Sequence, residues 1–218
     1  MTASEMLTLL GYRLEDSGGQ NFTAAMKYSS LNVAQRTVAN FLNEAYLTEL
    51  EFRDVVSISG TGGLIQLSGD GQFGSTTNKS TSKVIRNSIR NVQLVVANVY
   101  RYAIQIPFTD VKKLENEYLS ADVGNPIFWV FGNNITFRPT AGVTSAVLYY
   151  LKEPSDISAS VDCSLNSSLH DIIVHLAESE LWGIDNNTNR SQAAKSNAMD
   201  QIKMLNARYE QEGPDELG

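Results

Sequence analysis

Cysteine is nearly absent from this sequence: its 218 residues include one, Cys163, and only two histidines. A single cysteine excludes an intramolecular disulfide and a cysteine-based metal site. Long apolar runs are also missing, and none approaches the ~18 residues that a membrane-spanning helix requires. The first residues lack the charged and then apolar pattern of a secretory signal. We therefore expect a protein with no membrane partner that matures in a reducing cytoplasm.

Basic residues are in the minority, and the formal net charge is −7. Their distribution is uneven, because residues 71–109 contain no acidic residue and carry a net charge of +5. The members of this basic block are Lys79, Lys83, Arg86, Arg90 and Arg101. A basic block between acidic ends suits contact with DNA phosphates or with an acidic face of an adjacent copy. A solvated surface remains an equally open interpretation.

No catalytic or cofactor motif has the context that its chemistry needs. Residues 69–74 match the glycine spacing of a dinucleotide-binding loop, but no helical pattern follows and no acidic residue stands about 20 residues on. Asp171, His175 and Glu178 share a helix face, but the other histidine, His170, points away at that spacing. A polar face packed against a neighbour explains them better. We predict no enzyme activity, no cofactor and no metal.

Apolar residues recur at helical spacing in four segments. Residues 3–14 and 32–50 predict two helices in the N-terminal part of the chain. Residues 167–181 and 191–209, each opening on a serine cap, predict two closing helices. The polar break at residues 185–189 joins these two as an αα-hairpin. We expect this hairpin to pack on the helix of residues 32–50.

Strand patterns occupy the region between the helices. Residues 92–106 are rich in Val, Ile and Tyr, and they lead to a short helix capped by Thr109. Residues 127–131 and 135–138 flank Gly132-Asn133-Asn134, which predicts a hairpin. Residues 143–151 are expected to add a third antiparallel strand.

These segments predict an α+β fold, in which a helical bundle carries a small antiparallel β module between its N-terminal and C-terminal helices. Residues 1–56 and 155–210 would form the bundle, and residues 92–154 the β module. Residues 57–91, rich in Ser, Gly and Thr, are expected to be a long loop or flexible hairpin. Residues 211–218 are expected to be an acidic tail without a core of its own.

The aromatic residues of the β module leave a second interpretation open. They are Phe128, Trp129, Phe131, Phe137, Tyr149 and Tyr150. Such residues could stack on bases or sugars, but Arg138 is the only basic residue between Val123 and Tyr150. Core packing combined with a contact between subunits is therefore preferred.

The order of these parts resembles the head-to-tail adaptor (connector) proteins of tailed bacteriophages. The positions that carry the resemblance are Gly124, Pro126, Phe128, Trp129, Gly132, Pro139, Tyr149, Tyr150 and Pro154. The resemblance implies a structural virion protein, made in the host bacterial cytoplasm and without a cofactor. It implies a ring of twelve copies that joins the portal to a tail, nozzle or tail-completion protein. Such a ring lines the DNA channel without reading sequence.

The C-terminal segment is predicted to dock on the portal, as the ends of related adaptors do. The residues assigned to docking are Ala207, Arg208, Tyr209, Glu210, Glu212, Asp215 and Glu216. An apolar stripe reaches Tyr209, and Pro214 then prevents the helix from continuing. Two alternatives stay open: a tail-tube or tail-completion component, and a bacterial carbohydrate- or peptide-binding module.

Overall fold

The computed structural model describes residues 1–59, 63–68, 78–115 and 121–212 of the chain. The chain divides into two compact units, a helical unit of residues 1–50 with 154–218 and a sheet unit of residues 51–153. Helices and strands are thus both present, and the predicted α+β class is confirmed. No helix in the described ranges combines the length and apolar character needed to cross a bilayer.

The helical unit contains four α-helices in the described residues. They are α1 (Ala3–Arg13), α2 (Ala24–Phe41), α3 (His170–Ile184) and α4 (Thr188–Glu212). The first helix matches its prediction closely, because its start is fixed locally by a capping box. The Thr2 hydroxyl accepts from the Glu5 N–H (3.2 Å), and the Glu5 carboxylate accepts from the Thr2 N–H (2.7 Å).

The predicted limits of the second helix, residues 32–50, are wrong at both ends. Thr23, and not a serine near residue 30, caps α2, and its hydroxyl accepts from the Met26 N–H at 3.3 Å. At the other end Leu42 is extended, with φ −75° and ψ 151°. The Asn43 side chain then opens a separate 3-10 turn, so the apolar residues that follow are buried outside the helix.

The two closing helices form the expected antiparallel pair. Asn166, and not a serine, caps the short 3-10 turn that leads into α3, and α4 begins at Thr188, earlier than predicted. Asn186 has a positive φ of 58° in the link, a conformation that asparagine tolerates. Helix α3 packs against α1, α2 and α4. The residues that fill this core are all fully buried: Met6, Leu10, Leu31, Val38, Ile173, Val174, Ala177, Leu181 and Ala198.

The described residues of the sheet unit form an eight-stranded sheet. Its strands are β1 (Glu51–Ser57), β2 (Leu64–Ser68), β3 (Lys79–Val96), β4 (Val99–Tyr102), β5 (Ile104–Gln105), β6 (Ile127–Phe131), β7 (Asn134–Arg138) and β8 (Val143–Lys152). The strand order is β1-β8-β3-β2-β7-β6-β5, with β4 also paired to β3. The pairs β2–β3 and β5–β6 are parallel and the others antiparallel, so the prediction of a purely antiparallel module is wrong.

Residues 57–91 are not the expected loop or hairpin, because their described part contains β2 and the first half of β3. Long-range backbone contacts order this polar stretch. The Asn78 side chain accepts from the Ser59 N–H (2.9 Å) and donates to the Leu64 carbonyl (3.2 Å). The Asn78 carbonyl in turn accepts from the Gln66 N–H (2.9 Å). Pairing with strands distant in sequence supplies the order that composition alone did not indicate.

The hairpin of β6 and β7 is confirmed, and Gly132 has the positive φ of 56° that its tight turn needs. The strand expected over residues 92–106 is instead divided by a second hairpin. Ala97 and Asn98 both have positive φ, 47° and 64°, and connect β3 to β4. Strand β8 does not extend the β6–β7 hairpin as predicted, because it pairs with β1 and β3.

The helix expected from Thr109 is a 3-10 helix, Phe108–Glu115, and residues 116–120 lie outside the described residues. One face of the sheet carries the main apolar cluster, which includes Val56, Ile65, Val92, Leu94, Phe128, Ile135, Phe137, Ala146, Leu148 and Tyr150. The Asp54 carboxylate is buried beside this cluster, where it accepts from the Tyr150 hydroxyl at 3.0 Å. This contact provides the buried acid with a donor.

Candidate functional site

The last turns of α4 are anchored to the end of α2 by one amide side chain. Asn206 Oδ1 accepts from the Asn43 N–H (2.8 Å), and Asn206 Nδ2 donates to the Phe41 carbonyl (2.9 Å). The Phe41 carbonyl and the Asn43 N–H lie at the end of α2, where backbone groups have no hydrogen-bond partner within the helix. Asn206 therefore satisfies a helix terminus and fixes the position of α4 at the same time.

Tyr46 provides a second anchor for the same helix end. Its hydroxyl donates to the Leu205 carbonyl at 3.0 Å, and its ring meets the Tyr209 ring edge-on, with centroids 6.4 Å apart. Asn206 and Tyr46 were not among the predicted functional residues. An asparagine or tyrosine at the end of a helix gives no sequence signal for a partner more than 150 residues away.

The residues predicted to dock on the portal follow directly from these anchors. Ala207 and Arg208 are exposed, and Tyr209 is half-buried against Tyr46. Glu210 and Glu212 continue the helix, while Asp215 and Glu216 lie outside the described residues. The structure thus brings the first three together at an anchored helix end, and their docking role stays a prediction.

The basic block lies mostly on β3, where its members have different surroundings. Lys79 starts the strand opposite Gln66 of β2, and Lys83 Nζ lies 3.3 Å from the Glu153 carboxylate. Arg86 has a positive φ of 50° in an irregular section where pairing with β8 is interrupted. The members of the basic block are close in sequence, but they do not therefore form one continuous patch on the surface.

The remaining two arginines, Arg90 and Arg101, lie on different strands, β3 and β4. Tyr102 pairs with Gln93, while Arg101 pairs with Leu94, so successive residues of β4 point to opposite sides of the sheet. Arg90 lines the same groove as Gln93 and Tyr102. The DNA- or subunit-facing role of the block stays a prediction.

This groove in the sheet unit has a volume of about 790 Å³. Its lining is polar and aromatic and is formed by Glu51, Phe52, Arg53, Arg90, Asn91, Gln93, Tyr102, Tyr149 and Tyr150. The Tyr149 hydroxyl accepts from Arg53 Nε at 3.3 Å, which orients the guanidinium along the sheet. The guanidinium groups of Arg53 and Arg90 and the carboxylate of Glu51 all line this groove. This arrangement suits binding rather than acid–base chemistry.

The candidate metal ligands on α3 are occupied by an arginine of α1. Arg13 Nη2 lies 2.6 Å from Asp171 Oδ1, and Arg13 Nη1 lies 3.5 Å from Glu178 Oε2 and 2.7 Å from His175 Nε2. The ion-pair cluster joins two helices, as the interpretation of a packed polar face requires. Within the described ranges, no group of three His, Cys, Asp or Glu residues could hold a metal ion. The glycine motif of residues 69–74 lies outside those ranges.

Most of the six aromatic residues considered for base or sugar stacking do not belong to an exposed platform. Phe128, Trp129, Phe137 and Tyr150 are buried in the sheet unit. Phe131 is exposed and stacks on Phe108 at 4.5 Å between ring centroids. Core packing thus accounts for most of the set, as preferred from the sequence, and a sugar-binding surface on these strands has no support.

A comparison with protein families supplies the identity that the fold alone does not. The family model for the SU10 adaptor protein matches residues 1–217. The chain belongs to this family of phage head-to-tail adaptors. The resemblance inferred from the order of the sequence motifs is therefore confirmed. No curated protein matches the chain.

For an adaptor, the relevant sites are surfaces rather than reaction centres. Two surface features of the described residues are candidates: the anchored end of α4, with Asn206 and Tyr46, and the groove of β1, β8, β3 and β4. Each lies within one compact unit.

Proposed function

We propose that the chain is a structural adaptor that forms a ring between portal and tail and lines the DNA channel. Family membership over residues 1–217 is the observation that carries this proposal. It favours a structural role over catalysis, a location in the virion, and portal and tail proteins as partners. The ring of twelve copies is part of the proposal and follows from the family rather than from any residue described above.

The anchored end of α4 supports the assignment of residues 207–218 to the portal. A docking segment needs a rigid base, since ordering a flexible one costs ~1–2 kcal/mol per residue. Asn206 and Tyr46 provide that base by holding α4 up to Tyr209. In the described part of the chain, the core residues that α4 contributes are Ala194, Ala198 and Ile202, which all precede the proposed docking segment.

Portal binding by a truncated chain tests this proposal. Deletion of residues 210–218 should abolish binding to purified portal in a pull-down, with an unchanged circular dichroism spectrum and melting temperature. The variant Asn206→Ala provides a finer test, because it retains every docking residue and loosens only the base. It should weaken portal binding without removing it.

The matched control is Asn197→Ala, which changes the same residue type in the same helix at an exposed position. Its portal binding should equal that of the wild type. Wild-type affinity in the truncated chain would contradict the docking role, and loss of folding in that chain would contradict the assignment of these residues outside the core.

A further inference from the structure

The face of the sheet opposite the apolar cluster combines exposed aromatic, apolar and cationic side chains. Pairing across β1, β8, β3 and β4 places Arg53, Tyr149 and Asn91 in one row, and Val55, Val147, Gln93 and Tyr102 in the next. Tyr100 follows in the third row, opposite Val95. We call this surface the Tyr102 face. It includes the groove that Arg53 and Arg90 line.

The Tyr102 face is open to solvent on its outer strands β1 and β4, whereas its central residues Val147, Gln93 and Val95 are buried, at 1%, 9% and 8% exposed. Val55, Tyr100 and Tyr102 are 51%, 56% and 67% exposed. Tyrosine and arginine are the residue types enriched at the energetic centres of protein interfaces. An apolar surface of this kind, rimmed by polar groups, is typical of an interaction site.

The two compact units of the chain have opposite net charges. The helical unit carries 7 basic and 16 acidic residues, a net charge of −9. The sheet unit carries 10 basic and 8 acidic residues, a net charge of +2. Two copies arranged head to tail would therefore bring complementary charges together, whereas two identical units would not.

From these observations we infer that the Tyr102 face docks the acidic helical unit of a second copy of this chain. Arg53 and Arg90 would receive carboxylates of the neighbour, and Tyr100, Tyr102 and Val55 would supply the apolar centre of the contact. The contact is heterologous, and its repetition gives a ring, rather than an open filament, when the rotation between copies closes. The inference rests on the proposed function in one respect, namely that copies of the adaptor assemble with each other.

Duplex DNA fits the Tyr102 face less well. A duplex presents one negative charge per ~1.7 Å of its axis and requires a row of basic groups. On this face the two arginines share the groove with the Glu51 carboxylate, and the next row holds the uncharged Val55 and Gln93. Arg101 points to the other side of the sheet. The charge pattern thus matches scattered carboxylates of a protein better than a phosphate backbone.

Site-specific photocrosslinking tests the inference. A photoreactive phenylalanine analogue replaces Tyr102 in the full chain, which is irradiated alone and after addition of purified portal and duplex DNA. We expect crosslinks from position 102 to peptides of the helical unit of another copy. Their yield should fall as salt rises from about 0.01 M to about 1 M, where the screening length drops from ~30 Å to ~3 Å.

Charge variants make the test specific. Arg53→Gln with Arg90→Gln should lower the crosslink yield about tenfold, because two charged contacts of one interface are removed. The matched control is Lys195→Gln with Lys203→Gln, which removes two positive charges from the helical unit instead. This control should leave the yield unchanged or raise it, since it makes the acidic partner surface more acidic.

Each other outcome overturns the inference. Crosslinks to DNA would assign the Tyr102 face to nucleic acid, and crosslinks to portal would assign it to that partner. Crosslinks between position 102 of two copies would indicate a symmetric contact, and no crosslink under either condition would indicate an unused surface. A chain that binds portal but gives none of the expected crosslinks contradicts this inference alone. A chain that crosslinks as expected but fails to bind portal contradicts the proposed function instead.

Discussion

Replacing Tyr150 by phenylalanine removes one hydroxyl group from the buried contact between β1, β3 and β8. The Tyr150 hydroxyl donates to Asp54 Oδ2 at 3.0 Å and accepts from the Ser82 N–H at 3.3 Å. The same carboxylate oxygen also accepts from the Thr81 N–H at 2.6 Å. The phenylalanine ring fills nearly the same volume, so the change tests the hydrogen bonds and creates little cavity.

The expected cost follows from the burial of both partners. Tyr150 is 1% exposed and Asp54 is 4% exposed, so water cannot readily replace the lost donor. A hydrogen bond to a charged group contributes about 1.5–3 kcal/mol, and we expect Tyr150→Phe to lower the free energy of unfolding by about 2 kcal/mol. For a chain of this size, that corresponds to a fall in melting temperature of roughly 4–8 °C.

Chemical denaturation followed by circular dichroism measures this change, and the adjacent tyrosine provides the control. Tyr149 lies on the opposite face of β8, where its hydroxyl accepts from the exposed Arg53 side chain. Tyr149→Phe should cost less than about 0.5 kcal/mol, as exposed polar contacts generally do. If the two variants are equally stable, the buried contact of Asp54 does not stabilise the sheet and the reasoning is refuted.

Alkaline pH provides an independent check of the same contact. Burial, together with the charge and hydrogen bond of Asp54, raises the pKa of Tyr150 to about 12, above its ordinary value of 10.0. The folded state therefore resists loss of this proton, and the stability that results is present below pH 10 and lost as the pH rises from 10 through 12. Tyr150→Phe should remove this part of the alkaline decline, whereas Tyr149→Phe should retain it.

Two further predictions concern the turn at Ala97 and the acid limit of the helical unit. Ala97→Gly should raise the free energy of unfolding by about 0.5–1 kcal/mol in chemical denaturation, because Ala97 has a φ of 47° that glycine adopts without strain. Burial alone would raise the pKa of Asp16, but the N–H groups of Asn21, Phe22 and Gln20 and the Lys27 ammonium lower it to about 2, from 3.8. The ionised Asp16 carboxylate stabilises the folded state above pH 4, and this stabilisation is lost as the pH falls toward 2. The free energy of unfolding of Asp16→Asn should therefore differ most from that of the wild type above pH 4.

The predictions for Ala97→Gly and Asp16→Asn each have a control variant and an outcome that would contradict them. Asn98→Gly, at the other positive φ of the same turn, should stabilise less than Ala97→Gly, since asparagine already tolerates this conformation. A destabilising Ala97→Gly would contradict the assigned strain. For the acid limit, Asp200→Asn changes an exposed carboxylate of α4 and should leave the pH dependence unaltered. An acid unfolding profile of Asp16→Asn parallel to that of the wild type would contradict the role of Asp16.

Local signals allowed parts of this fold to be predicted well. Helix α1 begins where Thr2 and Glu5 form a capping box, and the β6–β7 hairpin turns where Gly132 permits a positive φ. In both cases the partners are within four residues of each other, so the sequence pattern contains the whole interaction. The family resemblance also depended on the order of such local elements, and it was confirmed.

Other parts depended on partners far apart in the sequence. The polar residues around Asn78 become ordered because β2 and β3 pair with each other and with strands more than 45 residues away. Helix α2 ends at Phe41, where the side chain of Asn206, from α4, binds the terminal carbonyl. Neither composition nor periodicity contains these contacts, because hydrogen bonds to a distant backbone leave no local repeat.

The sequence by itself determined the α+β class, the four helices, one hairpin and the adaptor family, since capping, periodicity and turn chemistry act within a few residues. Tertiary structure alone decided which strands pair and which face each basic residue occupies. It also decided that Arg13 fills the cluster of Asp171, His175 and Glu178. A charge in the sequence acquires a partner only when the chain has folded, and the strand register then places Arg101 on the side of the sheet opposite Tyr102.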